Sequence, residues 1–325
     1  MAVYTHLGAE QLADLVAAYD VGALVSVKGI AEGVSNSNWL VETTGKGDSR
    51  QRFILTLYEK RIDTGELPFF LGLLDHLAQR GCAVPATVHD RDGAASRKVA
   101  GKSAALIEFL PGVSPSNPTP AQARAVGAAL AEIHEAARDF PLSRADDLDL
   151  AACTAMLENC GEERLAKIDP ALAQAIELAR DIAGRQPKNL PESIIHSDLF
   201  PDNVLMLGDR VTGLIDFYFA CNGAMAYDLA VTHAAWCFDR HGSSLHRNLS
   251  EALMTGYDSV RPLESDERAA LPALAERACL RFLASRAEDW LETPADAQVM
   301  RKDPMDFWRR LSIYREMGID AFAKA

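Results

Sequence analysis

Apolar positions recur with a helical period over residues 9–19, where Leu12, Leu15 and Val16 share one face, which predicts an opening helix. After Gly22 the pattern turns to strands. Val25-Ser26-Val27 leads into a polar and glycine-bearing run, 29–38, followed by a strand at 39–43. Gly45 and Gly47 mark a turn before the next strand, 52–58. A helix over 67–80 stops at Gly81, the residue type that commonly follows a helix. Residues 104–110 form one more strand, closed by Pro111-Gly112. The stretch 113–120 carries Pro, Ser and Asn and reads as a junction. Beyond it Thr119 can cap a helix with Pro120 at its first position, and Val126, Leu130, Ile133 and Ala137 keep one apolar stripe. Helical patterns then run to the end, broken only near 194–216. The layout is α+β: a small antiparallel-sheet lobe, 1–110, and a larger, mostly helical lobe, 111–325.

The interruption holds the chemistry. It reads Ile194-Ile195-His196-Ser197-Asp198-Leu199-Phe200-Pro201-Asp202-Asn203, and His-x-Asp-x4-Asn is the spacing of a kinase catalytic loop. In that arrangement Asp198 meets the acceptor hydroxyl and takes its proton, while Asn203 holds Mg2+ on the phosphates. Short apolar strands at 204–207 and 211–215 flank Gly208-Asp209, a hairpin signal. The hairpin would set Asn203 opposite Asp216, with Cβ atoms about 5 Å apart. An amide oxygen and a carboxylate at that separation can share one hard cation, and Mg2+ takes a few such oxygens together with substrate phosphates. Singly, Asp198 could cap a turn, Asn203 start a strand and Asp216 sit on the surface; all three at this spacing point to phosphoryl transfer.

Composition narrows the partners. The net charge of −13 over 325 residues argues against nucleic acid, which needs a Lys/Arg footprint. A single nucleotide is compatible with it, because backbone N–H groups and a cation can hold the phosphates. No basic start precedes an apolar run and no stretch is long and apolar enough to span a bilayer, so a cytoplasmic protein without membrane contact is expected. The six cysteines show neither Cys-x-x-Cys nor zinc spacing and read as reduced, mostly buried thiols.

The motif His196–Asn203 with Ile215-Asp216-Phe217 resembles the two signatures of the aminoglycoside phosphotransferase/choline kinase superfamily. The longer run Ile215-Asp216-Phe217-Tyr218-Phe219-Ala220-Cys221-Asn222, with Tyr227-Asp228-Leu229-Ala230 and Trp236-Cys237, is similar to the homoserine kinases of this fold. Glu32-Gly33, residues 36–38, Leu55-Thr56-Leu57-Tyr58-Glu59-Lys60 and Arg281-Phe282 through Arg286 fit the same pattern, and the likeness covers nearly the whole chain. The resemblance implies a two-lobed protein-kinase-like fold, ATP and Mg2+ as cofactors, and transfer of the γ-phosphoryl group to L-homoserine in threonine biosynthesis. Kinases for choline, methylthioribose or aminoglycosides are the alternatives within the superfamily, and a catalytically silent nucleotide-binding regulator is the alternative outside catalysis.

Site residues follow from the resemblance. The loop 29–38 is not Gly-x-Gly-x-x-Gly, yet Gly33, Ser35, Asn36 and Ser37 could cover phosphates; a plain hairpin turn is the other reading. The lysine expected on the following strand is replaced by Thr56, and Lys60 lies about 13 Å further along a regular strand, at about 3.3 Å per residue. Glu108 and Leu110 resemble the hinge that binds adenine through its backbone. A zwitterionic acceptor needs an arginine for its carboxylate and an acid for its ammonium, for which Arg281 and Arg286 with His196, Asp202, Tyr218, Asn222, Tyr227 and Asp228 are candidates. Each of these also has an ordinary reading as a structural salt bridge or hydrogen bond, and His134, in an alanine-rich helix, reads as a packed histidine.

Overall fold

A computed structural model describes residue 5 and residues 7–30, 36–45, 49–59, 63–293 and 301–322. The chain divides into two compact units, Met1–Gly112 with Thr212–Tyr218, and Val113–Val211 with Phe219–Ala325.

The first unit opens with α1 (Ala9–Ala17), followed by β1 (Leu24–Ile30), β2 (Ser37–Thr43), β3 (Gln51–Leu57), α2 (Leu67–Gln79), β4 (Thr87–Val88), β5 (Arg97–Val99) and β6 (Lys102–Glu108). The strands make one antiparallel sheet in the order β1-β2-β3-β6-β4, with β5 also on β6. Side chains alternate across a strand, so each residue type chooses a face. Trp39, Val41, Leu55, Leu57, Ala104 and Leu106 turn to one face and pack with Leu12, Leu15 and Val16 of α1. Tyr58, Ala105 and Ile107 turn to the other and pack with Leu67 and Leu71 of α2. The run expected as a loop, 29–38, is shorter than its composition suggests: Gly29 pairs with Trp39 and Ile30 with Asn38, so the ladder continues through the glycine.

The second unit begins with α3 (Pro120–Ala136), whose Thr119 hydroxyl accepts the Gln122 N–H at 3.2 Å as the capping pattern predicts. It continues with α4 (Leu150–Cys160), α5 (Glu162–Ile168), α6 (Ala175–Gly184), β7 (Glu192–Ile195), β8 (Val204–Leu207), β9 (Arg210–Leu214) and β10 (Cys221–Ala224). The helices α7 (Met225–Trp236), α8 (Arg247–Val260), α9 (Ser265–Glu292) and α10 (Met305–Met317) complete it. β7 pairs with β10 and β8 with β9, whose residues 212–214 belong to the first unit. α7 is buried on every face, and Asp228 is its one acidic residue. α3 and α8 cross closely because neither carries a side chain at the crossing. A Cβ on Gly127 would lie 2.1 Å from the Leu253 carbonyl oxygen, and one on Gly256 would lie 1.9 Å from that of Arg124. Among the described residues no helix is long and apolar enough to cross a membrane.

Candidate active site

The loop that follows β7 is held from several sides. Ser197 has a left-handed φ of +66°, a conformation that costs a non-glycine residue free energy and persists only where its surroundings over-determine it. Both of its backbone groups are clamped. Its N–H donates to Asp228 Oδ1 at 2.7 Å, and its carbonyl accepts a hydrogen bond from Arg281 Nη1. The N–H of His196 donates to Asp228 Oδ2 at 2.6 Å, and the N–H of Asp198 donates to His196 Nδ1 at 3.2 Å. Leu199 is fully buried and its carbonyl accepts from Trp236 Nε1 at 3.0 Å.

Asp198 is thereby presented on a fixed backbone with its side chain 19% exposed. Asn203 Nδ2 donates to the Asp198 carbonyl at 2.8 Å and to Asp198 Oδ2 at 3.3 Å. The amide nitrogen is thus turned to Asp198, and the amide oxygen is the end directed elsewhere. Arg281 is 2% exposed, and its Nη2 stands 4.0 Å from Asp198 Oδ1.

Behind the loop lies a buried row. His134 Nε2 donates to Asp228 Oδ2 at 3.0 Å, and Tyr257 Oη meets His134 Nδ1 at 2.9 Å. Arg261 Nη1 donates to Tyr257 Oη at 3.3 Å, and its Nη2 donates to both oxygens of Glu267 at 2.9 Å. Burial alone would raise the Asp228 pKa, but hydrogen bonds from His134 and the His196 N–H outweigh it and hold the carboxyl below its ordinary value. Asp228 therefore stays ionised inside the protein with its donors supplied by the chain itself.

The structure sorts the residues predicted from sequence. Asp198, Asn203, His196, Asp228 and Arg281 come together. Asp228 is fully buried and both of its oxygens accept from the loop backbone, so it holds the loop in place where a part in binding the acceptor was expected; His196 is fully buried too, and its Nδ1 accepts the Asp198 N–H. Arg286 is corrected too: its Nη1 donates to the Asp303 carbonyl and to Asp306 Oδ2, both at 3.0 Å, and its guanidinium lies over Phe307. Asn222 belongs to β10, where its Oδ1 accepts the Arg144 N–H at 2.8 Å. Asp202 is exposed, and its carbonyl accepts the Ser114 hydroxyl at 3.1 Å. Tyr227 is buried beneath Arg277, whose guanidinium lies 4.1 Å from its ring centre.

In the first unit, Asp216 is exposed with a left-handed φ of +67°. Tyr218 packs against Tyr58 and Phe70, and its hydroxyl meets that of Tyr58 at 3.4 Å. Thr56, where a lysine was expected, donates its hydroxyl to Asn38 Oδ1 at 2.8 Å. Ser37 is fully buried and donates to Glu59 Oε1 at 2.7 Å, so its hydroxyl is not free for a phosphate. Asn36 Oδ1 accepts the Glu59 N–H at 3.4 Å, Glu108 is exposed at the end of β6, and Leu110 is half-buried. Gly33, Ser35 and Lys60 lie outside the described residues.

Sequence reasoning missed Arg277, Tyr257, Arg261 and Glu267 and read His134 as mere packing. His134 and Arg277 find their partners far away in the chain, 94 residues for His134–Asp228, 123 for His134–Tyr257 and 131 for Arg277–Asp146, and no local pattern announces such pairs; Tyr257, Arg261 and Glu267 lie four to six residues apart, but it is the link through His134 that ties them to the loop.

The model of the phosphotransferase enzyme family matches residues 26–263. A homoserine kinase of Methylobacterium radiotolerans is 47% identical over 319 residues, covering 97% of each chain. One of Sinorhizobium fredii is 48% identical over 319 residues, covering 97% of this chain and 95% of that one. An amicoumacin kinase, solved in complex with AMP-PNP, Ca2+ and Ami, superposes with a TM-score of 0.67 at 14% identity, over 97% of this chain and 94% of that one. That likeness bears out the expected α+β, protein-kinase-like fold. The chain belongs to the phosphotransferase enzyme family, on the branch that holds these homoserine kinases.

Proposed function

We propose that the protein is an ATP-dependent homoserine kinase, which transfers the γ-phosphoryl group of ATP to the hydroxyl of L-homoserine in the cytoplasm and yields O-phospho-L-homoserine for threonine biosynthesis. The observation that carries the chemistry is the clamped, partly exposed Asp198 beside Asn203; near-full-length likeness to homoserine kinases supports the acceptor.

In this reading residues 1–110 bind the nucleotide and 111–325 carry catalysis and the acceptor site. The backbone at Glu108 and Leu110 meets adenine, and Asn36 borders the loop that covers the phosphates together with Gly33, Ser35 and Lys60. Asp198 orients the acceptor hydroxyl toward the γ-phosphorus. As the new O–P bond forms and the bond to the ADP oxygen breaks, the hydroxyl proton passes to Asp198, late in a loose transition state. Asp202, exposed in the same loop, offers the negative charge that an ammonium needs.

The donors fit Mg2+. Asn203 has its amide nitrogen engaged with Asp198, leaving its oxygen for a cation, and Asp216 presents an exposed carboxylate; both are the hard oxygen ligands this ion takes. When bound with ATP, Mg2+ would neutralise charge on the phosphates. ADP release in the presence of ATP and Mg2+ across homoserine, choline, methylthioribose, serine and kanamycin tests the assignment. Homoserine should lead by orders of magnitude; another alcohol in its place would refute the acceptor.

A further inference from the structure

Homoserine differs from a simple amino alcohol by its carboxylate, and one cluster in the second unit is built to receive an anion; this inference rests on the homoserine reading. Arg277 and Arg281 stand four residues apart on α9 and so share a helix face. Among the described residues, three buried polar atoms here have no hydrogen-bond partner: Tyr227 Oη, Arg277 Nε and Arg281 Nε. Tyr227 is 1% exposed. All three are donors, and buried donors are normally paired.

The acceptors already present are spent. Arg277 Nη2 donates to Asp146 Oδ2 at 2.9 Å, and Arg281 Nη1 donates to the Ser197 carbonyl. Asp198 stands at 4.0 Å from Arg281, too far for a hydrogen bond. The groups form one patch: Tyr227 lies under Arg277 and feels the charges of both arginines, and Phe219, itself exposed, sets its ring 5.0 Å from the Arg281 guanidinium. Access is marked by side chains that are partly open, Asp198 at 19% and Arg277 at 23%.

The reach is right for homoserine. Four bonds separate its hydroxyl oxygen from its carboxylate carbon, about 5 Å in an extended chain at about 1.5 Å per bond. A hydroxyl on Asp198 therefore brings the carboxylate within reach of Arg281, 4.0 Å from Asp198, and of the face that Arg277 shares with it on α9. We propose that Arg281, Arg277 and Tyr227 form the subsite that reads the acceptor's carboxylate, and so set the preference for an amino acid over an amino alcohol.

Two probes separate the groups. L-2-aminobutyrate keeps the ammonium and carboxylate without the hydroxyl; 3-aminopropan-1-ol keeps the hydroxyl and ammonium without the carboxylate. Calorimetry on the full chain compares wild type, Tyr227→Phe and Arg277→Gln. Tyr227→Phe removes an oxygen with no partner and should keep or raise Tm, so it carries the test should Arg277→Gln fail to fold. Each variant should weaken L-2-aminobutyrate about tenfold or more, as loss of a hydrogen bond to a charged group does, and leave 3-aminopropan-1-ol within about twofold. Unchanged L-2-aminobutyrate affinity in folded variants, equal loss for both probes, or no binding of L-2-aminobutyrate by wild type would each overturn the subsite. Homoserine turnover by wild type reports separately on the function: a chain that phosphorylates another alcohol but not homoserine refutes that reading, while the probe binding still decides whether a carboxylate is read here.

Discussion

The backbone N–H of Ser197 donates to Asp228 Oδ1 at 2.7 Å, across 31 residues of chain. Through that bond a carboxylate that never meets solvent sets the position of one that does, Asp198. A strained backbone at Ser197 is affordable because Asp228 and Arg281 hold it from its two sides.

Asp228→Asn tests this relationship. The carboxylate accepts from two backbone N–H groups and from His134, and an amide has only one oxygen to offer them. The variant should lose about 3–5 kcal/mol of stability, the usual cost of breaking a buried charged pair. Its kcat should also fall at temperatures where it remains folded. Urea unfolding and steady-state kinetics on one sample check both; wild-type kcat would show that the loop keeps its geometry without the anchor.

The two acids proposed for chemistry should separate by readout. Asp198→Asn keeps shape but loses the proton acceptor, so turnover should fall about 10²–10⁴-fold with nucleotide affinity little changed. Asp216→Asn, and more mildly Asn203→Ala, should weaken Mg2+-dependent ATP binding as well as turnover. Calorimetry with Mg2+-ATP decides. Strong loss of nucleotide affinity in Asp198→Asn would move Asp198 onto the metal.

His233 should make the protein acid-sensitive. Burial pushes its pKa from 6.5 to about 3, and its ring nitrogens meet the hydroxyls of Tyr314 at 2.5 Å and Ser250 at 2.8 Å, with Phe238 and Phe322 against the ring. Below about pH 6.5 the unfolded chain takes a proton that the folded one refuses, so the unfolded state binds more protons and stability falls as pH drops toward 3. The slope from this one group approaches about 1.4 kcal/mol per pH unit. His233→Gln should show a flatter stability profile than wild type between about pH 6.5 and 5. Parallel profiles for the two proteins would mean the buried imidazole is not the source.

Gly127→Ala should be poorly tolerated. The added methyl would meet the Leu253 carbonyl, a backbone atom that cannot rotate aside, and overpacking of this kind costs about 1–3 kcal/mol. Gly184→Ala, at the end of α6 with nothing within 4 Å, should be neutral or slightly stabilising. Thermal melts of the pair, run side by side, check the contrast; equal Tm values would mean the α3–α8 crossing can relax.

What the sequence made legible was local. Capping at Thr119, the stripe of α3, the hairpin around Gly208 and the spacing from His196 to Asn203 are all set by neighbours a few residues apart. The short strands β4, β5 and β10 escaped notice because two to four residues carry no measurable period. Asp228 was picked out by resemblance and given a ligand-binding role, yet whether a carboxylate faces solvent or a backbone N–H depends on the packing of α7, which no spacing reveals. Arg281 and Arg286 looked equivalent on paper. Only the partners Asp303 and Asp306, brought in from residues ahead of and on α10, assign Arg286 to a structural role.

The row Arg261–Tyr257–His134–Asp228 has ends of fixed character. A guanidinium can only donate and an ionised carboxylate can only accept. With a neutral imidazole between them each hydrogen has one possible place: Arg261 gives to the Tyr257 oxygen, the Tyr257 hydroxyl gives to Nδ1 of His134, and Nε2 of His134 gives to Asp228. The ends of the row thus select one tautomer of the neutral ring without any metal or ligand. The bonds that anchor the catalytic loop thus run one way, from Arg261 to Asp228, and the Asp198 backbone is set by groups of the chain itself before any nucleotide arrives.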